Sequence, residues 1–282
     1  MTLAYWTGTY LPLDQVKVSP LDRGYLFADG VYEVVAVYDG RIFELDAHLD
    51  RLARSLAAVR IDPGIDRAGL ATVFRQLAET APRPAATVYM QVTRGAPAQR
   101  SHAFPASAQA SILAFAGPLK RLTRAQQEDG FALVSAPDIR WLRCDIKSIA
   151  LLPSVLAAQN AAEAGALETV MLRDGLVSEC AASNVFVVKD GRVATPIADH
   201  RILDGINRRL AIRLAGELGI AVEQRAVAEA ELRAADEIWI TSTTKELAPI
   251  VRLDGAAIGT GRPGPVWRRV RDAFDRLVGQ PA

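Results

Sequence analysis

The chain has 282 residues, 33 basic and 32 acidic, and its formal charge of +1 argues against a broad electrostatic footprint for nucleic acid. Half of the residues are hydrophobic and 23% are charged, a balance that buries a sizeable core and lacks the charge excess of disordered chains. No uninterrupted apolar run approaches the roughly 20 residues that span a bilayer, and Met1 to Trp6 shows no basic region followed by an apolar stretch, so neither export nor a membrane anchor is expected. Cys144 and Cys180 form neither a close pair nor a framework, which fits free thiols in a reducing cytoplasm. His48, His102 and His200 are scattered, so no metal site is expected. Only five lysines stand against 28 arginines, which leaves few candidate amines.

Apolar and β-branched residues predict a strand over Val31 to Val37, turned back at Asp39-Gly40 into a second strand through Arg41 to Leu45. Leu49, Leu52, Leu56 and Val59 then recur at helical spacing within His48 to Val59, and a second amphipathic helix fits Arg67 to Thr80 before Pro82 and Pro84. Thr87 to Thr93 and Ser111 to Phe115 read as strands separated by a polar loop that carries Arg94, Gly95, Arg100 and His102. The turn-rich stretch near Leu119 to Thr123 marks a domain boundary, dividing the chain into a smaller domain, 1–120, and a larger one, 121–282. Beyond it, strands at Phe131–Ser135, Thr169–Leu172, Val185–Val188 and Ile238–Thr241 are interleaved with helices near Ser154–Ala164, Arg208–Leu218 and Val266–Val278. Asp174-Gly175, Asp190-Gly191 and Asp254-Gly255 supply hairpin turns, so the pattern predicts two α+β domains with mixed or antiparallel sheets.

Gly259 to Gly264 matches a dinucleotide-binding glycine pattern, but too few residues follow to complete the βαβ unit, so a plain turn before the last helix is the reading. Arg268, Arg269 and Arg271 share that helix with Asp272 and Asp275 and read as a solvated face. Lys147 is set in Asp145-Ile146-Lys147-Ser148, and a lysine there is either an ordinary surface residue or, if partly desolvated, an amine able to form an imine with a carbonyl cofactor. Glu179 is either a hairpin-edge carboxylate or a partner that keeps a bound heteroaromatic nitrogen protonated. Leu203-Asp204-Gly205-Ile206-Asn207-Arg208 opens a helix with Asn207 able to cap it; exposed amides at such an end bind phosphate, and the hydroxyl run Thr241 to Thr244 can serve the same anion or simply cap a loop. Arg51 reads as a surface salt bridge, and Arg100 and His102 as solvated loop charges or a trap for a carboxylate.

Together these segments resemble the fold-type IV pyridoxal-phosphate enzymes, and among them the D-amino-acid transaminases, over nearly the whole chain. The resemblance is carried by Asp22-Arg23-Gly24-Tyr25, Asp29 to Val34, His48 to Leu52, Gln91 to Gly95, Trp141 to Ser148, Ser183 to Phe186, Gly205-Ile206 and Thr241 to Thr244. It implies a two-domain α+β architecture with pyridoxal 5'-phosphate between domains, the larger of which carries the cofactor lysine. Lys147 would bond to that cofactor and shuttle the α-proton. Glu179 would face the pyridine nitrogen, Arg51, Ile206, Asn207, Ser242 and Thr243 would surround the phosphate, and Leu203 would pack against the ring. Tyr32, Arg100 and His102 would form the carboxylate trap, the latter two reaching in from the neighbouring subunit of a homodimer.

The implied reaction passes an amine between D-amino acids such as D-alanine or D-glutamate and 2-oxo acids such as pyruvate or 2-oxoglutarate. An R-selective amine transaminase, an L-branched-chain transaminase, an aminodeoxychorismate-type lyase and a non-catalytic binding protein on the same scaffold are the rival readings. Three departures from the family pattern bear on specificity: the loop is one residue longer before Arg100, Asn207 replaces a hydroxyl residue, and Ala181 and Ala182 stand where serines are frequent.

Overall fold

The computed structural model describes residues 2–107 and 109–279. The chain divides into two units, Met1–Lys120 with Ile146–Leu151, and Arg121–Asp145 with Leu152–Ala282.

The first unit contains β1 (Leu3–Trp6), β2 (Thr9–Pro12), α1 (Arg23–Phe27), β3 (Gly30–Tyr38), β4 (Arg41–Ile42), α2 (Leu45–Val59), α3 (Arg67–Glu79), β5 (Ala85–Thr93) and β6 (Ser111–Pro118). Among the described residues its strands form a six-stranded sheet in the order β2-β1-β6-β5-β3-β4, with every pair antiparallel. Alternation along β3 buries Val31, Glu33, Val35 and Val37 on the face that shares a core with α2 and α3, and leaves Tyr32 and Val34 half-buried on the other. The α2 stripe of Leu49, Leu52 and Leu56 covers that face together with Leu70, Phe74 and Leu77 of α3. The strand expected through Leu45 ends at Ile42, because Glu44 turns into the left-handed region at φ 53° and α2 begins at the next residue.

Ile146 to Leu151 corrects the expectation that Lys147 belongs to the second domain. The Tyr32 N–H donates to the Lys147 carbonyl at 2.9 Å, the Ile149 N–H donates to the Gly30 carbonyl at 3.1 Å, and Val31 and Ser148 form an antiparallel bridge. These bonds extend the edge of β3 by a short segment, with Ile146 buried in the first unit's core.

The second unit contains α4 (Arg124–Asp129), β7 (Phe131–Pro137), α5 (Leu152–Glu163), β8 (Glu168–Arg173), β9 (Leu176–Cys180), β10 (Asn184–Lys189), β11 (Arg192–Thr195), α6 (Ile206–Glu217), β12 (Val222–Gln224), α7 (Glu229–Arg233), β13 (Glu237–Ser242), β14 (Glu246–Leu253), β15 (Ala256–Ala257) and α8 (Pro265–Val278). Its sheet runs β12-β11-β10-β13-β14-β7-β8-β9 with β15 on β14, and the β11–β12, β14–β7 and β7–β8 pairs are parallel while the others are antiparallel. The mixed α+β architecture read from the sequence is therefore present.

Helices α6 and α8 pack against β13. Trp267, Val270, Phe274 and Val278 line one stripe of α8, and Arg271 lies within that stripe, which is why it is fully buried rather than on a solvated face. It is neutralised there by Asp275 at 2.5 Å and Glu246 at 2.7 Å. The glycine-rich Gly259 to Gly264 segment is a loop, and the amides of Val266 and Trp267 that follow it donate to the Glu237 carboxylate at 2.9 and 2.8 Å. An internal carboxylate thus occupies the end of α8 where a pyrophosphate would otherwise bind.

Candidate functional site

The first unit gathers Tyr32, Arg51 and Lys147. Lys147 is half-buried, its backbone N–H donates to Ser55 Oγ at 3.2 Å, and its Nζ lies 4.1 Å from the centroid of the Tyr32 ring. Among the described residues no carboxylate lies within ion-pair distance of Nζ, so the amine is held against an aromatic face with no fixed counter-ion. Tyr32 packs at a tilt against Tyr89, whose hydroxyl pKa is pushed up to about 12 by burial and which donates to Gln91 Oε1 at 2.8 Å.

Beneath this amine, Glu33 sits within the apolar face of β3 and is fully buried. Arg51 meets it through Nε at 2.7 Å and Nη2 at 2.9 Å, and His48 Nδ1 meets Oε2 at 2.7 Å. Burial raises the Glu33 pKa, but the Arg51 charge and then His48 outweigh it and hold the carboxyl well below the usual range. Burial dominates at His48 and lowers its pKa against the pull of Glu33; the Arg51 and Lys147 charges add to the lowering. Because an ionised Glu33 can only accept, the His48 Nδ1–H donates to the carboxylate. Arg51, read from sequence as a surface salt bridge or a phosphate ligand, is buried and oriented by Glu33.

Arg100 and His102 lie on the exposed loop between β5 and β6, in the same unit, and are in neither hydrogen-bond nor ring contact with Tyr32. Both rest instead on Phe27 of α1: the Arg100 guanidinium carbon is 4.7 Å and the His102 ring 5.2 Å from its ring centroid.

The second unit gathers Glu179, Leu203, Ile206, Asn207, Ser242 and Thr243. Glu179, next to last in β9, is a buried carboxylate whose Oε1 accepts from Arg140 Nη1 at 2.5 Å and whose Oε2 accepts from Asn184 Nδ2 at 2.9 Å. The Leu203 N–H donates to both oxygens at 3.1 Å, and the Leu203 carbonyl accepts from Asn184 at 2.7 Å. Arg140 is fixed behind Glu179 by Asp138, which also pairs with Arg173 at 3.0 Å and accepts from Ser178 at 2.8 Å. Glu179 is thus no loose hairpin-edge residue, and Leu203 acts first through its backbone.

Helix α6 is preceded at its N-cap position by Gly205, where an added Cβ would collide with the Asn184 side-chain oxygen, so a side chain is excluded by the group that holds Glu179. No side chain caps this helix; Asn207, expected to cap it, turns Nδ2 onto the Ser242 carbonyl at 2.7 Å because Gly205 occupies the cap position. Asn207 thereby ties the first turn of α6 to the loop that carries the Ser242, Thr243 and Thr244 hydroxyls, and unlike the first-turn amides of α8 those of α6 have no side-chain acceptor among the described residues. The loop's far end is held by Lys245, whose Nζ is 2.9 Å from the buried Glu168; the same carboxylate accepts from the Ala182 N–H at 2.9 Å and from the Ser183 hydroxyl.

Residues 30–253 match the Amino-transferase class IV family. The chain belongs to the class IV aminotransferases. It is 40% identical over 273 residues to the D-alanine aminotransferase of Bacillus licheniformis, covering 97% of this chain and 96% of that protein. It is 36% identical over 279 residues to the D-alanine aminotransferase of Staphylococcus haemolyticus, covering 99% and 98%. Among solved structures it is similar to the branched-chain amino acid aminotransferase of Escherichia coli, with TM-score 0.92 and 26% identity over 98% of this chain and 94% of that one. It is equally similar to a T.th. branched-chain amino acid aminotransferase solved with pyridoxamine 5'-phosphate, with TM-score 0.92 and 25% identity over 99% and 95%.

A pyridoxal-phosphate cofactor asks a class IV aminotransferase for an amine without a fixed counter-ion, a carboxylate for a ring nitrogen and donors for a phosphate. In the first unit Lys147 is such an amine, and in the second Glu179 is such a carboxylate and the uncapped start of α6 with its hydroxyl loop offers such donors, so the residues of each unit fit what the group would require.

Glu33, Arg140, Asn184 and Glu168 were not singled out by sequence. Glu33 alone left a signal there: a carboxylate on the buried face of an alternating apolar strand must have a partner.

Proposed function

We propose that this class IV aminotransferase is a pyridoxal-phosphate enzyme that passes the amine of a D-amino acid to a 2-oxo acid. D-Alanine and D-glutamate are the proposed donors, and pyruvate and 2-oxoglutarate the acceptors. The observation that carries this reading is the Lys147 amine, half-buried on the Tyr32 ring, in a chain matched over nearly its full length by D-alanine aminotransferases.

Lys147 is the residue that would hold the cofactor covalently, and its Nζ is the proposed carrier that takes the α-proton and later returns it. When bound, the cofactor would supply a protonated pyridine ring as the sink for the electron pair of the Cα–H bond. Glu179, held between Arg140 and the Leu203 amide, is the proposed partner that would keep that ring proton in place. Ile206, Asn207, Ser242, Thr243 and Arg51 are the proposed phosphate ligands, and Leu203 the proposed packing surface for the ring. Tyr32, together with Arg100 and His102 of the partner subunit, is the proposed receiver of the substrate carboxylate. Two half-reactions at one lysine give ping-pong kinetics.

A homodimer is part of this reading. Its support is α5, where Leu152, Val155 and Leu156 are exposed and Ala161 is the buried residue among those described. Among the described residues no helix is long and apolar enough to cross a membrane. The two buried, unpaired thiols support a cytoplasmic setting.

The test follows the visible absorbance of the cofactor-loaded protein after D-alanine or L-alanine is added without an acceptor. Bleaching with D-alanine alone, restored by 2-oxoglutarate, is the expected result. Bleaching by L-leucine instead would move the enzyme to the branched-chain reading that its structural neighbours favour.

A further inference from the structure

The loop that carries Arg100 and His102 is exposed, yet it is fastened at both ends. Arg94 sets its base: Nε and Nη2 bond Asp29 at 2.8 and 2.9 Å, while Nη1 and Nη2 donate to the carbonyls of Arg60 and Val59 at 2.8 and 2.7 Å. Gly95 follows at φ 86°, where an added Cβ would strike the Gln109 carbonyl, so the chain leaves β5 by one route. Arg23, the first residue of α1, closes the segment. Its backbone N–H donates to the Gly95 carbonyl at 2.9 Å, and its buried guanidinium donates to three successive carbonyls, of Ser101, of His102 at 3.1 Å and of Ala103 at 3.2 Å. The remaining Nε is spent on Asp29 at 2.7 Å.

These bonds fix the peptide planes on either side of His102. One turn further along α1, Phe27 offers the ring on which both Arg100 and His102 rest, with the Arg23 guanidinium carbon 4.9 Å from the same centroid. Five donors in a planar fork are what allow one side chain to hold three carbonyls and a carboxylate together, which a lysine cannot do.

We propose that Arg23, acting with Phe27, is a positioning residue that presents Arg100 and His102 as a preformed receiver for the substrate carboxylate. Arg23 acts through the loop alone and has no direct role in the chemistry. The inference rests on the reading of Arg100 and His102 as the carboxylate trap. A receiver ordered before its ligand arrives loses less freedom on capture, so loosening it weakens capture while the proton transfer at Lys147 is untouched.

The test compares Arg23→Lys, Phe27→Leu, Phe27→Tyr and Arg100→Ala as full-length, cofactor-loaded proteins, with rates measured against D-alanine concentration at saturating 2-oxoglutarate. In Arg23→Lys and Phe27→Leu the KM for D-alanine should rise about tenfold while kcat stays within about twofold, and Phe27→Tyr, which keeps the ring, should retain the original KM. Tryptic cleavage after the exposed Arg100 should quicken about tenfold in Arg23→Lys. Binding of pyridoxal phosphate, titrated by absorbance, should not change. Unaltered KM and cleavage in Arg23→Lys and Phe27→Leu, alongside a raised KM in Arg100→Ala, would overturn the positioning role and leave the trap standing. An unaltered KM in Arg100→Ala would overturn the trap and this role with it. If circular dichroism shows Arg23→Lys unfolded, the contrast between Phe27→Leu and Phe27→Tyr decides.

Discussion

Glu33 and Arg51 meet through two hydrogen bonds, of 2.7 and 2.9 Å, inside the core of the first unit, with His48 as the carboxylate's third partner. The pair joins β3 to α2 directly beneath the strand edge that carries Lys147, so the polar network that orients a candidate phosphate ligand is also a structural joint.

Removing one partner of such a pair strands a buried charge. Glu33→Ala should therefore cost about 3–5 kcal/mol, and Glu33→Gln, which keeps an acceptor, clearly less. Urea unfolding of the two variants measures the difference, and equal midpoints for both would contradict the assignment of a buried charge.

The same network sets a pH dependence. His48 has a folded pKa below its ordinary 6.5, so the unfolded chain binds a proton that the folded chain refuses. Stability from this group is fully present above about 6.5 and is lost as pH falls through the folded value. Glu33, also depressed, acts in the same direction at lower pH, below about 4.3. Thermal midpoints should fall as the solution is acidified from neutrality, and His48→Gln should flatten the upper part of that slope; a slope unchanged in His48→Gln would sink the argument.

At the start of α6, Asn207 ties the helix to the Ser242 carbonyl. Asn207→Ala should weaken pyridoxal-phosphate binding about tenfold, with a smaller loss for inorganic phosphate as probe, because it frees the hydroxyl loop without removing the helix amides. Equilibrium dialysis of both ligands checks this. An unchanged affinity would separate Asn207 from the phosphate site.

Lys147 is the one amine set on the Tyr32 ring. Lys147→Ala should lower turnover by at least about a thousandfold. In the unaltered protein, borohydride reduction followed by peptide mass spectrometry should place the cofactor's mass on Lys147. Label on another lysine would falsify the anchor.

Cys144 has its thiol pushed up to about 11, chiefly by burial, and burial raises Cys180 as well. The thiolate is the reactive form, so iodoacetamide at neutral pH should label neither residue in the folded protein and both after denaturation. Rapid labelling of Cys144 without denaturant would show that its burial is misjudged.

Much of the frame was legible in the chain itself. The 3.6-residue spacing of Leu49, Leu52 and Leu56 and the alternation around Val31, Val35 and Val37 are local patterns, because one face of each element must leave water wherever the element ends up. Lys147 and the hydroxyl run after Ile240 stood out as candidates for another reason: they lie in ordered segments whose resemblance extends over nearly the whole chain, and that resemblance in turn pointed to Glu179.

What tertiary structure alone decided is which charges are buried and what they hold. Arg51 and Arg271 read as surface residues because an arginine is normally solvated, and only the partners Glu33, Glu246 and Asp275, which come from other elements or from the next turn, make their burial tolerable. Lys147 follows a linker in sequence but pairs with β3, because the free edge beside Gly30 and Tyr32 offers the hydrogen bonds its backbone needs. Arg23 and the three carbonyls it grips lie almost 80 positions apart, a juxtaposition that no local pattern encodes and that closure of the antiparallel sheet brings about.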